Sequence, residues 1–297
     1  MRFPTSVLPC QMLVCLLLAC LWGGHAVAAD LPSVVAAENT WGDLAAQVVG
    51  PDMRVISILK SPVVDPHLYE PTPADARLVA QASLIVANGA GYDAWLDRLV
   101  QARRGPAVPV VKADGWTGWH EGDNAHLMYS LPAVAAFVGR FTAACQAVDP
   151  AHASAYAARS RAVLAAVRGV REQTVVLRGL VQGQPVAATE PVFTPLADSL
   201  GLVMKEQVFQ VAVMNDVEPP ASSVALFDED IRQHRVRLVA YNAQADRPSV
   251  QRLIAQAHAA GVPVVPVLEI MPPDTHWQDW MHTTLKQVAQ VLGQTIP

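Results

Sequence analysis

The chain has 297 residues, 52% of them hydrophobic and 16% charged, with 21 Lys and Arg against 26 Asp and Glu for a formal charge of -5. That apolar share can fill one large or two medium cores, and it excludes a disordered chain, which is apolar-poor and highly charged. A sparse, slightly acidic charge also excludes a nucleic-acid binder, which needs a basic stripe to displace counterions from phosphates.

Residues 1–28 read as a secretory signal: Arg2, then an apolar run through Leu16-Leu17-Leu18, then the small-x-small ending Ala26-Val27-Ala28. Pro9 and Gln11 interrupt the run and leave it short of the ~20 residues that a membrane span needs. Leu17-Leu18-Ala19-Cys20 resembles a lipobox, which would anchor the chain by a lipid on Cys20; release after Ala28 is the favoured reading. Cys10, Cys15 and Cys20 fall in this segment, so Cys145 alone is expected in the mature chain, without an intrachain disulfide and as a buried small hydrophobe.

In chain order, residues 33–38 predict a strand and 40–49 an amphipathic helix stopped by Gly50. Residues 54–59 predict a second strand. Thr72-Pro73-Ala74-Asp75 opens a helix with Thr72 as cap, Pro73 in its first turn and Asp75 near the positive end of the dipole. Strands at 84–87 and 107–111 alternate with helices at 94–102 and 131–147, which makes a parallel α/β unit. Residues 149–178, rich in Ala and Arg, predict one long helix capped by Asp149 and started by Pro150; the alternative is two helices broken at Gly169. The alternation resumes with strands at 185–189, 236–241 and 262–268, an extended segment at 205–211, and helices at 192–200, 221–234, 248–260 and 277–292.

The expected fold class is therefore α/β: two lobes, each a parallel sheet flanked by helices, joined by one long interlobe helix. The lobes are placed at residues 29–148 and 183–297, with the linking helix at 149–182.

Ligands of open parallel sheets bind beyond the carboxyl ends of the strands. His67 falls beyond the second strand and His126 beyond the fourth, while Glu190 and Glu269 directly follow two strands of the second lobe. Two imidazoles and two carboxylates facing one cleft would neutralise and bind a divalent transition metal. Taken singly, each residue has a bland reading as a loop or helix-end polar group.

The run Asp65-Pro66-His67-Leu68-Tyr69-Glu70-Pro71-Thr72-Pro73-Ala74-Asp75, followed by Val86-Ala87-Asn88-Gly89-Ala90-Gly91-Tyr92-Asp93-Ala94-Trp95-Leu96, resembles the cluster A-I (ZnuA-like) solute-binding proteins of manganese and zinc ABC importers. The likeness covers nearly all of the mature chain. It implies a monomeric periplasmic receptor, not an enzyme, that carries one metal ion as cargo (manganese or zinc, or ferrous iron) to a membrane permease and its ATPase. Carried over by position, the metal ligands fall on His67, His126, Glu190 and Glu269. The family's Asn-Pro-His motif reads Asn124-Ala125-His126 here, and its usual fourth Asp is Glu269. Chelating carboxylates and the lack of a His-rich loop tilt the expected cargo toward manganese, with zinc close behind.

Two other classes stand beside this reading: a periplasmic metal-dependent hydrolase, and a receptor for a metal chelate or organic ligand. His120, His152, His234, His258, His276 and His282 are expected to be structural or exposed. Asp216 and Glu218 are expected in an exposed loop, and Asn242 is placed to hydrogen-bond a metal ligand or to cap a turn.

Overall fold

A computed structural model of the chain describes residues 31–115, 118–244 and 247–296. The expected export signal, with Cys10, Cys15 and Cys20, lies outside the described residues. The first sheet holds β1 (Ser33–Glu38), β2 (Arg54–Leu59), β3 (Leu84–Ala87) and β4 (Val110–Lys112), and the second holds β5 (Pro185–Ala188), β6 (Val203–Lys205), β7 (Val239–Asn242) and β8 (Val264–Val267). Every pairing is parallel, and the order β2-β1-β3-β4 recurs as β6-β5-β7-β8. Helices cover both faces of such sheets, which is why all six residues of β1 are buried instead of alternating.

The helices are α1 (Asn39–Val49), α2 (Pro73–Gln81), α3 (Ala94–Ala102), α4 (Leu131–Val148), α5 (Ala153–Val181), α6 (Thr194–Ser199), α7 (Gln207–Met214), α8 (Ala221–Arg232), α9 (Pro248–Ala260) and α10 (Trp277–Val291). The start of α2 is as the sequence predicts. Thr72 Oγ1 accepts from the Asp75 N–H, and Asp75 accepts in return from the Thr72 N–H. Gly50 and Gly261 end α1 and α9 at φ +55° and +72°, a region open to glycine.

Three local expectations are corrected. Residues 205–211 are not one extended segment: the strand ends at Lys205 and α7 follows. The β-branched composition of α7 suggests a strand, but its buried residues are Phe209, Gln210 and Val213, a helical spacing, and tertiary packing decides. The helix expected at 192–200 divides into a 3-10 turn, Pro191–Phe193, and α6, whose first turn contains Pro195, a residue without an N–H to continue a preceding helix. Asp149 does not cap the long helix. It accepts from the Tyr156 hydroxyl and pairs with His152 Nδ1, both at 2.6 Å, and a 3-10 turn, Pro150–His152, precedes α5.

Helix α5 runs unbroken through Gly169 and Gly179 for 29 residues, about 44 Å at 1.5 Å per residue. One continuous apolar core packs against it, drawing Val34, Leu84 and Val111 from the first sheet and Val186, Ala240 and Val265 from the second. Residues Pro32–Pro297 accordingly form one compact unit. Among the described residues, only α4 is long and apolar enough to cross a membrane, and its Val134, Phe137, Val138 and Phe141 are buried in this core. Cys145 is free and buried on the same helix, and burial pushes its thiol up to about 12.

Candidate metal centre

In each sheet the strand order reverses beside the first strand in sequence, between β1 and β3 and between β5 and β7. That reversal opens the crevice where α/β sheets bind ligands. Glu190 follows β5 there, and Asn242 ends β7. The equivalent point of the first sheet holds Glu38 and Asn88. His67 arrives on the loop after β2, His126 on the loop before α4, and Glu269 on the loop after β8.

Three of the four expected ligands converge. One donor atom each from His67, His126 and Glu269 lie within 4.8 Å of one another. Glu269 Oε2 is 3.4 Å from His67 Nε2 and 3.7 Å from His126 Nε2. All three atoms are buried without a hydrogen-bond partner. Buried polar atoms are nearly always satisfied, so three orphans pointing at one another mark a place built for a further group. The donor set suits a cation: His126 Nδ1 lies 2.9 Å from Asn124 Oδ1, an acceptor only, so Nδ1 is the donor in that bond and Nε2 is the nitrogen that faces the cluster.

Glu269 is braced from four directions. Tyr129 donates to the Leu268 carbonyl at 2.9 Å and accepts from the Leu268 N–H at 3.2 Å. Gln244 Oε1 accepts from the N–H groups of Glu269 and Ile270, while its Nε2 donates to the Pro62 carbonyl on the His67 loop. The Tyr92 hydroxyl reaches the Glu269 carbonyl at 3.3 Å, with its ring edge-on to His67 at 4.6 Å. Asn242 Nδ2 donates to Glu269 Oε1 at 2.7 Å.

Glu190 is adjacent but outside the tight cluster. Its Oε2 accepts from the same Asn242 amide at 3.2 Å, and it lines a cavity of about 370 Å³ with His67, Asn242 and Glu269. Burial and the Glu269 charge push Glu190 up to about 7. Burial also raises Glu269, but the His126 and His67 imidazoles overcome this and hold it below the usual carboxylate range. Burial lowers His67, against the opposing pull of Glu269. Glu269 is thus held ionised, while Glu190 retains a proton near neutrality. Behind it, Glu38 is fully buried with both oxygens unpartnered, and burial together with Asp93 raises it well above the usual range.

Four other described histidines have partners elsewhere. His120 is exposed beside Asp123, His152 pairs with Asp149, His276 with Asp43, and His282 with Gln173. Asp216 sits at φ +58° and pairs with Arg247 on the rim of the same cavity. Sequence reasoning missed Tyr92, Asn124, Tyr129 and Gln244 as braces. Only Tyr92 and Asn124 lie in recognisable motifs.

The family model for the periplasmic zinc-uptake complex component A (ZnuA) matches residues 34–291. The chain belongs to the ZnuA family. The metal ABC transporter substrate-binding lipoprotein FimA of Streptococcus parasanguinis is 37% identical over 90 residues, a match spanning 29% of this chain and 28% of that protein. A putative metal-binding protein of Treponema pallidum is 21% identical over 287 residues, covering 90% of this chain and 89% of its own. Among solved structures, the Pseudomonas aeruginosa protein FpvC in complex with Mn2+ superposes with a TM-score of 0.73 at 19% identity, over 89% of this chain and 98% of that one, and shares its fold. The orphaned donors of this ZnuA-family chain come from loops that follow strands of both sheets.

Proposed function

We propose that this ZnuA-family chain is the extracytoplasmic receptor of an ABC importer, capturing one divalent transition metal ion at His67, His126, Glu269 and Glu190 and passing it to a permease with its ATPase. The observation that carries the reading is the convergence of three buried, unpartnered donor atoms from His67, His126 and Glu269. Glu190 completes the set on this reading by giving up its proton to the incoming charge. Two carboxylates then neutralise a +2 ion that two imidazoles also bind, and no bond of a substrate is made or broken. Manganese, zinc and ferrous iron all suit such N/O donors. Family membership points to a binding component of an uptake complex and away from an enzyme.

Export by residues 1–28 would place the chain in the periplasm, free or held by a lipid on Cys20. The lobes would run through residues 29–148 and 183–297, about the linking helix at 149–182.

Metal content and competitive titration with manganese, zinc and ferrous iron, on chelator-stripped mature protein beside a His67→Ala variant, test the reading. One tightly bound ion, lost in the variant, is expected. No stoichiometric metal in the unmodified protein would overturn it.

A further inference from the structure

We propose that Asn242 sets the metal preference of this centre by holding Glu269 to a single donor oxygen. The inference rests on the metal-receptor reading and goes beyond it, to the choice between ions. Asn242 is 4% exposed, and its side chain is fixed at both ends. Its Oδ1 accepts from the Gln244 N–H at 3.0 Å, so its Nδ2 has to face the carboxylates. There it donates to Glu269 Oε1 at 2.7 Å and to Glu190 Oε2 at 3.2 Å.

An amide NH2 has no lone pair to offer a cation; it occupies one of the two lone-pair sites of the oxygen to which it donates and fixes the rotation of that carboxylate. The carboxylate of Glu269 is thereby turned with Oε1 against the amide and Oε2, the oxygen that is orphaned beside both imidazoles, toward the ion, an orientation that favours one donor oxygen over chelation. The same amide holds Glu190 Oε2 at 3.2 Å, which leaves Oε1 free of that bond. Two nitrogens and two single oxygens make four donors, the number that zinc takes in a tetrahedral site. Manganese favours six, mostly oxygens, and would need both carboxylates to chelate. Ligands ~2.0–2.1 Å from a tetrahedral zinc sit about 3.3–3.4 Å apart; Glu269 Oε2 lies 3.4 and 3.7 Å from the two imidazole nitrogens, near that edge, and all three donor atoms lie within 4.8 Å of one another. Sequence chemistry alone leaves both carboxylates free to chelate and tilts toward manganese. The fixed amide tilts the centre back to zinc.

The test combines cobalt substitution with zinc and manganese titrations on the full mature protein. Cobalt(II) in four-coordinate sites absorbs visible light strongly, and in six-coordinate sites weakly. The unmodified protein is expected to give the strong spectrum. Asn242→Ala frees both carboxylates with room to rotate, and Asn242→Leu removes the donor while keeping the volume. Each is expected to weaken the cobalt absorption and to lower the zinc-to-manganese affinity ratio by about tenfold or more, the scale of groups that orient metal ligands. Loss of packing alone would not change a coordination spectrum. A weak, six-coordinate spectrum in the unmodified protein overturns the inference whether or not the variants fold. So does a metal-loaded variant with unchanged spectrum and ratio, and in that case the receptor reading survives. An unmodified protein that takes up no stoichiometric metal removes both.

Discussion

Arg159 and Arg178, on the single helix α5, close the carbonyl ends of two helices in opposite halves of the molecule. Arg159 donates to the Val48 and Val49 carbonyls at the end of α1, both at 2.7 Å. Arg178 donates to the Asp198 and Ser199 carbonyls at the end of α6, at 3.3 and 3.1 Å. A cation at a helix C-terminus satisfies orphan carbonyls and suits the dipole. The two positions are about 28 Å apart along the helix at 1.5 Å per residue, so α5 is a strut clamped to both halves.

That strut, with a core continuous across both sheets, predicts that metal loading produces local rearrangement and not wide hinge closure. Scattering profiles of metal-free and loaded protein should superimpose, and a large compaction would refute this. Arg159→Ala should cost ~1–3 kcal/mol in urea unfolding, the scale of charged hydrogen bonds. Arg178→Ala should cost less, because its bonds are longer and more exposed.

The four proposed ligands should not be equal. His67 and Glu269 contribute atoms that already face each other, whereas Glu190 is held aside by Asn242. His67→Ala and Glu269→Ala should therefore abolish tight binding. Glu190→Ala should weaken binding by a smaller factor and leave the fold intact. Calorimetric titration of each variant checks the order, and an unfolded Glu190→Ala protein would make that residue structural.

Metal binding and metal-free stability should respond to pH in opposite directions. Burial lifts Glu190 from 4.5 to about 7 and Asp93 from 3.8 to about 7. The folded protein holds these protons at pH values where the unfolded chain has lost them. Their stabilisation is thus full below about pH 4 and is lost as pH rises toward about 7, by up to ~1.4 kcal/mol per group for each pH unit climbed between the unfolded and folded pKa. His67, lowered by burial, opposes this trend only below its ordinary value of 6.5. A divalent ion must displace the Glu190 proton, so affinity should rise over the same range, with proton release on zinc addition at about pH 6. Glu190→Gln should flatten the Glu190 share of the pH dependence of metal-free melting. An unchanged slope would show that Glu190 does not titrate there.

Much of the framework is legible in the sequence because it is local. The bounds of β1, β2, β3, α3 and α9 and the Thr72–Asp75 box follow from periodicity and end signals that neighbouring residues carry. Helix α7 escapes such reading because its valines favour a strand in isolation, and only the burial of Phe209, Gln210 and Val213 selects the helix. The strand-end rule places His67, His126, Glu190 and Glu269 on loops that follow strands, as the structure has them. It does not show that Glu190 stands apart, because that depends on one amide bond pattern at Asn242. Nor does it find Tyr129, which meets Leu268 from 139 positions away, since no short-range pattern records such a contact.

Ile270 turns this long-range bracing into a test. It follows Glu269 on the second half of the chain, yet it is fully buried in the apolar cluster of Val35, Leu59, Ile85 and Trp95, which the first half supplies. Glu269 is thereby pinned to the lobe that carries both imidazoles. Ile270→Ala should cost about 2–5 kcal/mol, as large-to-small changes in a core do. It should also weaken metal binding without touching a ligand, because the loop after β8 loses the apolar anchor that keeps Oε2 beside His67 and His126. Ile270→Val, which keeps most of the volume, should cost about 0.5–1.5 kcal/mol and leave the affinity nearly unchanged. Unfolding curves paired with zinc titrations on the two variants separate the effects. If Ile270→Ala lowers stability but leaves affinity intact, the hydrogen bonds from Tyr129, Gln244 and Asn242 alone hold Glu269 in place.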